Sequence, residues 1–148
     1  YKYVYVSLKM GGKMKEKSRV MLELVLVFDN DYDVYQISNK LGITCDKCKN
    51  KSETRINPLT NQQNPGYWEL KTGYITSDNF KTIEDLLFDR IRSKIDKIKE
   101  VLSKGNGEAL FWIVPSVRNK EFPDVSISRE FIQIAAQLNA RIDFDVYL

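Results

Sequence analysis

The sequence has no histidine among its 148 residues and only two cysteines. Without histidine there is no catalytic triad with a histidine base, and the commonest transition-metal ligand is missing. Two cysteines are too few for a disulfide framework, so a hydrophobic core must supply the stability. No stretch approaches the roughly 18 apolar residues of a membrane-spanning helix. No secretory signal, phosphate-binding loop, dinucleotide fingerprint or serine-hydrolase elbow is recognisable, so we expect a cytoplasmic, non-enzymatic protein without a cofactor.

The composition is that of an ordinary globular domain. Hydrophobic residues make up 43% and charged residues 29% of the chain, which disfavours disorder. The length fits one domain better than two. The net charge of +3 and the pI of about 8.8 are only mildly basic, below the range typical of nucleic-acid-binding domains. The cations cluster in residues 1–19, and residues 120–148 carry an excess of acids, a distribution that solvated surface positions explain.

Hydrophobic periodicity predicts an N-terminal β-hairpin. Residues 1–10 alternate in the manner of a strand, and Gly11 and Gly12 suggest a hairpin turn. Residues 20–28 (VMLELVLVF) are almost continuously apolar, as expected for a central strand buried on both faces, so we place the second strand at residues 19–28. Met14 is a candidate natural start. We therefore predict an extra N-terminal strand and turn at residues 1–13, followed by a single domain at residues 14–148.

The rest of the chain alternates between strands and helices. The pattern predicts, in order, a short helix at 33–41 ended by Gly42, a long loop at 44–66, a strand from Gly66, one amphipathic helix at 79–104 ended by Gly105, a strand at 109–115, a short strand at 125–128, a helix at 129–139 and an alternating strand at 140–148. Ile142, Phe144 and Val146 would share one face of that last strand, and Asp143, Asp145 and Tyr147 the other. The predicted fold class is α+β: a two-layer sandwich of a mainly antiparallel sheet with about three helices, preceded by the N-terminal hairpin strand.

Cys45 and Cys48 form a C-x-x-C motif. Structural zinc requires four ligands, so this pair could bind zinc only if a second copy of the chain contributed two more. A thioredoxin-like redox pair would follow a strand and begin a helix. Here the pair follows a helix and enters a polar loop, which favours an unligated pair of thiols, with the metal and redox hypotheses as alternatives.

Acidic side chains near the C-terminus suggest a second candidate site. Asp143 and Asp145 lie on one face of the last predicted strand, with Tyr147 next in the alternation. If Glu69 faced them from a neighbouring strand, the carboxylates could support acid–base or metal chemistry. Solvated positions on a half-buried strand explain these residues equally well.

Tyr1, Tyr3 and Tyr5 form a third candidate site, in a segment that also carries Lys2 and Lys9. Aromatic side chains in a positive groove bind single-stranded nucleic acid by stacking. The tyrosines share one strand face, however, and Lys2 lies on the other. A tyrosine ladder in a sheet or an oligomer interface is the alternative, and an edge strand at residues 1–10 could join two copies into a homodimer.

The order of several short motifs resembles one family. These are the apolar first strand, the L-G-I turn at 41–43, the G-x-W-E at 66–69, the helix containing IEDLLFDRI, the segment SISREFIQIAAQLNA and the closing D-F-D-V-Y. Together they resemble the bacterial domain-of-unknown-function family DUF4279, over about residues 19–148. The resemblance implies a small bacterial α+β domain and brings no catalytic residue. It matches Trp68 and Glu69 to the family's Trp-Glu, and Asp145 and Tyr147 to its closing Asp-x-Tyr. The strand at 1–10 and the C-x-x-C motif depart from the family pattern.

These observations favour a binding protein. The leading hypothesis is a non-enzymatic bacterial module that binds a protein partner, of the kind of an immunity or antitoxin-like inhibitor of an effector. Its basic charge argues against a nucleic-acid mimic, because such mimics are acidic. The alternatives are a nucleic-acid-binding domain that uses the basic N-terminal hairpin, and a small-molecule enzyme or sensor that uses the carboxylates. The candidate binding residues are Tyr1, Tyr3, Tyr5, Trp68, Glu69, Asp143, Asp145 and Tyr147.

Overall fold

A computed structural model describes residues 16–76 and 78–148 of the chain. The predicted strand at residues 1–10 and its glycine turn therefore lie outside the described residues. The elements run in the order β1 (Arg19–Phe28), α1 (Tyr35–Leu41), β2 (Lys47–Lys49), β3 (Ile56–Asn57), β4 (Gln62–Gln63), β5 (Gly66–Lys71), α2 (Phe80–Ile91), α3 (Ile95–Gly105), β6 (Glu108–Ser116), α4 (Arg129–Gln137) and β7 (Arg141–Phe144), with 3₁₀ turns at Lys51–Glu53 and Arg92–Lys94.

Five strands form one sheet in the order β2-β5-β1-β6-β7. All neighbouring strands are antiparallel except β6 and β7, which are parallel. Strand β1 is central, as the apolar run predicts, but it is not buried on both faces. Its burial alternates along the strand, because helices cover only the face that carries Leu22, Leu24 and Leu26. The fold class is therefore α+β, with helices on one side of a mainly antiparallel sheet.

The core lies between the sheet and the helices. Its largest fully buried side chains include Trp68, Phe28 and Phe111 from the strands and Phe88 and Phe131 from the helices. The rings of Phe88 and Phe131 meet edge to face with centroids 5.3 Å apart. Such contacts fix how α2 and α4 lie on the sheet, since aromatic pairs prefer this geometry to a face-to-face sandwich.

The long helix predicted at residues 79–104 is divided in two. A 3₁₀ turn at Arg92–Lys94 separates α2 from α3, and it lies where the backbone of Ile91 and Lys94 departs from α-helical values. The turn redirects the chain so that α2 packs on β1 and α3 packs on α1. Residue periodicity alone did not reveal this break, because buried side chains continue on both sides of it. The turn is held to α4 by Arg92, whose Nε donates to Glu130 Oε1 at 2.7 Å.

Other segments also differ from the predictions. The predicted loop at 44–66 contains the edge strand β2, a 3₁₀ turn and the β3–β4 hairpin. The strand predicted at 125–128 is irregular, because its residues pair with no neighbouring strand. The predicted last strand ends at Phe144; its Ile142 packs on the core, whereas Phe144 and the following Val146 are 54% and 41% exposed. The predicted short helix ends at Gly42, which has the left-handed φ of 67° that favours glycine.

Over residues 16–76 and 78–148, no helix is long and apolar enough to cross a bilayer. This agrees with the absence of a long hydrophobic run in the sequence.

Candidate binding groove on the open sheet face

The sheet face opposite the helices carries the candidate site. The strand registers place side chains in rows across it, because residues opposite one another on adjacent strands point to the same side. One row contains Lys49, Tyr67 and Val27, and the next contains Lys47, Glu69, Val25 and Leu110. A third row contains Lys71, Glu23, Trp112 and Asp143.

A groove follows these rows. A cavity of about 670 Å³ covers the face between β2 and β6, and a second cavity of about 220 Å³ adjoins it toward the C-terminal segment. The two share Glu23 and Trp112, so we treat them as one feature, the open-face groove. Its floor is apolar in the middle, where Val25, Val27 and Trp112 are half-buried.

The two sides of the groove carry opposite charge. Lys47, Lys49 and Arg55 line one side, and all three are exposed; within the described part of the chain none of them pairs with a carboxylate within 4 Å. We call these three residues the positive wall. The ammonium of Lys47 lies 5.8 Å from the Tyr67 ring centroid, a distance typical of a cation–π contact. Toward β7, Glu23 and Asp145 make the other side acidic.

Glu23 is a groove residue with a raised pKa. Burial raises the pKa of its carboxyl above the usual value, and the nearby carboxylates of Glu69 and Asp145 raise it further, while the Lys71 ammonium opposes them. The Lys71 Nζ is already engaged, because it lies 2.6 Å from Glu69 Oε1. Glu23 therefore lies between two acids with its nearest cation partly neutralised, an arrangement that favours an external cation.

We expect Glu23→Gln to stabilise the fold at neutral pH. A carboxyl whose pKa is raised on folding stabilises the native state below its unfolded pKa of about 4.3, and this contribution is lost as the pH rises through the raised value. The free energy of unfolding of the variant should therefore exceed that of the wild type by on the order of 0.5–1 kcal/mol at pH 7, after allowance for solvent screening. Near pH 3 the two proteins should be equally stable. Urea unfolding at both pH values measures this. Glu108→Gln, at an exposed position nearby, is the control, and an equal gain at both pH values would refute the assignment.

The structure brings together some of the predicted site residues. Glu69 lines the groove beside Glu23, and Asp145 and Tyr147 line its smaller part. The Tyr147 hydroxyl donates to Asp145 Oδ2 at 2.9 Å, and this bond raises the tyrosine pKa. Asp143 lies on the same face but at the sheet edge, where it pairs with Arg141 at 3.1 Å. Within the described residues, no three acidic or cysteine side chains are grouped to hold a metal.

Other predicted residues lie elsewhere. Trp68 is fully buried among the helices, and its Nε1 donates to Ser38 Oγ at 2.9 Å, so it fixes α1 to the sheet and does not reach the groove. Cys45 and Cys48 are free thiols that pack partly against the core behind β2. Tyr1, Tyr3 and Tyr5 lie outside the described residues.

The sequence analysis missed Glu23, Trp112 and the positive wall. One signal was present: Glu23 interrupts the apolar run of β1, and an acidic residue inside such a run indicates that one face of the strand reaches solvent. The positive wall could not be predicted from the sequence, because Arg55 belongs to a loop and β2 has only three residues.

Comparison with known proteins identifies the family. No curated protein and no solved structure matches the chain. The sequence matches the domain of unknown function DUF4279 over residues 17–148, which includes every strand and helix described above. This protein therefore belongs to the DUF4279 family.

Proposed function

We propose that this domain is a protein-binding module and that its partner occupies the open-face groove. The observation that carries the proposal is the groove itself: a half-buried apolar floor of Val25, Val27 and Trp112 between a positive wall and an acidic side. An apolar centre with a polar, charged rim is the usual anatomy of a protein interface.

The β3–β4 hairpin next to the groove supports a protein partner. Leu59 is 93% exposed at its tip, and Ile56 is 59% exposed at its base. The backbone N–H of Leu59 donates to Asn57 Oδ1 at 2.9 Å and so supports the turn of the hairpin. Within this proposal, these two exposed apolar side chains extend the apolar surface that the partner would cover.

The charges specify the partner's chemistry. A complementary segment would place acidic residues against the positive wall, an apolar side chain over Trp112, and a basic residue beside Glu23 and Asp145. The same acidic groups disfavour a nucleic acid, because they would repel its phosphates. Within this proposal we favour a small inhibitor of the immunity type, which blocks a bacterial effector by covering its surface.

Affinity capture with paired variants tests the proposal. The tagged 148-residue chain is used to capture proteins from a lysate of its own host, with and without nuclease. We expect one stoichiometric protein that survives nuclease treatment. The captured amount of this protein should decrease at least about tenfold with Lys49→Glu, since reversing one interfacial charge costs a kcal/mol or more. Leu59→Asp should give a similar loss. Lys99→Glu, on an exposed part of α3, is the matched control and should retain the partner.

Three outcomes would overturn the proposal. They are an eluate without a stoichiometric protein, a partner that Lys49→Glu and Leu59→Asp both leave unchanged, and captured material that nuclease removes. The last outcome would favour the nucleic-acid hypothesis instead.

A further inference from the structure

Cys45 and Cys48 face each other across the turn that leads into β2. Their Sγ atoms are 3.2 Å apart, within hydrogen-bond distance for two sulphur atoms. Cys48 lies opposite Trp68 in the β2–β5 register, so its side chain points to the helix side of the sheet. Both side chains are partly exposed. A disulfide has an S–S length of about 2.05 Å, so the sulphurs need to approach by only about 1 Å.

The backbone around the pair is fixed on both sides. The Asp46 N–H donates to the Glu69 carbonyl at 2.8 Å, and the Lys71 N–H donates to Asp46 Oδ2 at 2.8 Å. The Arg90 guanidinium donates to the Thr44 carbonyl at 3.2 Å. Because these bonds hold the turn before and between the cysteines, the two thiols stay close without loss of further chain entropy.

We propose that Cys45 and Cys48 form a redox-active pair that closes to an intramolecular disulfide with hydrogen peroxide as oxidant. The Cys45 sulphur, as thiolate, attacks one peroxide oxygen; the O–O bond breaks, and Cys45 becomes a sulfenic acid while hydroxide leaves and is protonated to water. The Cys48 sulphur then attacks the Cys45 sulphur. The S–S bond forms, the S–O bond breaks, and the hydroxyl leaves with the Cys48 proton as a second water. Two thiols lose two electrons, the peroxide gains them, and a small thiol reverses the reaction by exchange.

The environment assigns the order of the two steps. Burial, together with the adjacent Cys45 thiol, raises the pKa of Cys48 to about 11. Cys48 therefore remains protonated at neutral pH and is a poor first nucleophile. Cys45 lies in the turn before β2, whereas Cys48 lies within the strand opposite the buried Trp68. This placement assigns the first reaction to Cys45 and the resolution of the sulfenic acid to Cys48.

The disulfide would act on the groove. Lys47 of the positive wall lies between the two cysteines in sequence, on the opposite face of the same short strand. Closing the disulfide restricts this edge strand and so fixes one side of the groove. The regulatory meaning of this step rests on the proposed function, whereas the chemistry does not.

Mass spectrometry of the purified 148-residue chain tests the chemistry without any partner. The protein is treated with hydrogen peroxide and then alkylated with iodoacetamide. We expect the wild type to lose the mass of two hydrogens, to resist alkylation at both positions and to recover with dithiothreitol. Cys48→Ser should accumulate a sulfenic acid that dimedone traps, whereas Cys45→Ser should keep an alkylatable thiol under the same treatment. Hydrogen exchange of the amides at 46–49 should slow about tenfold on oxidation of the wild type only.

The proposal is overturned if both wild-type thiols remain alkylatable, if oxidation joins two chains instead, or if sulfinic acid forms as fast in the wild type as in Cys48→Ser. Unchanged hydrogen exchange in a protein that has formed the disulfide would refute the effect on the groove wall. Because no partner is involved, these failures are distinguishable from a failure of the binding proposal.

Discussion

Phe111→Ala should lower the free energy of unfolding by about 3–5 kcal/mol, the usual cost of removing a large buried aromatic side chain. Phe111 lies on β6 beside the central strand and is fully buried. Its ring meets those of Phe88 and Phe131 edge to face, with centroids 6.1 and 4.9 Å away. Helices α2 and α4 would both lose packing on the sheet, so the cavity could not be filled by movement of one neighbour.

The next residue along the strand provides the control. Trp112 lies on the open face and is half-buried, so Trp112→Ala should cost only about 1 kcal/mol, since much of its surface already contacts water. Urea unfolding of both variants, with the slope compared as well as the midpoint, measures the difference. Equal losses of unfolding free energy in the two variants would mean that the sheet is buried on both faces, which would contradict the open face of the fold. For a domain whose total stability is of the usual 5–15 kcal/mol, the Phe111 variant should be partly unfolded on mild heating.

The strands that the sequence predicts best are those with strong local periodicity. β1 and β6 lie within a residue of the predicted positions and β5 begins at the predicted Gly66, because β-branched and aromatic residues fit a half-buried sheet surface. The exposed face of β1 was not predicted, because Met21, Val25 and Val27 look like core residues in the sequence. What distinguishes them is the absence of a covering helix in the described residues, and that depends on chain topology and not on local pattern.

The candidate site likewise depends on chain topology and not on local sequence pattern. The sequence raised the approach of Glu69 to Asp143 and Asp145 only as a condition, and the structure has Glu69 and Asp145 close enough to Glu23 to raise its pKa. That juxtaposition depends on the strand order β2-β5-β1-β6-β7, which the sequence does not encode locally. The C-x-x-C motif was found by spacing alone, but the closeness of its sulphurs depends on hydrogen bonds to β5 and to Arg90.

We expect the variant Gly66→Ala both to destabilise the fold and to displace one side of the groove. A Cβ at this position would lie 2.8 Å from the Lys51 nitrogen, 3.1 Å from the Lys49 carbonyl oxygen and 3.3 Å from the Asn50 carbonyl carbon. All three atoms are backbone, so no side-chain rotation relieves the clash, and the segment must move away from β5. Overpacking of this kind costs about 1–3 kcal/mol.

The segment that Gly66→Ala would displace, residues 49–51, makes two further contacts or contributions that matter for the fold and the groove. Asn50 Oδ1 accepts the Val34 N–H at 2.8 Å at the start of α1, and Lys49 belongs to the positive wall. We therefore expect Gly66→Ala to lower the stability by about 2 kcal/mol or more, to speed hydrogen exchange at residues 47–53, and to weaken capture of the partner. Gly73→Ala is the control: its Cβ would meet no atom within 4 Å, but its φ of 73° strains an alanine by about 1 kcal/mol. If both variants changed amide hydrogen exchange at residues 47–53 equally, the result would contradict our inference that the close approach of β5 to residues 49–51 positions the positive wall.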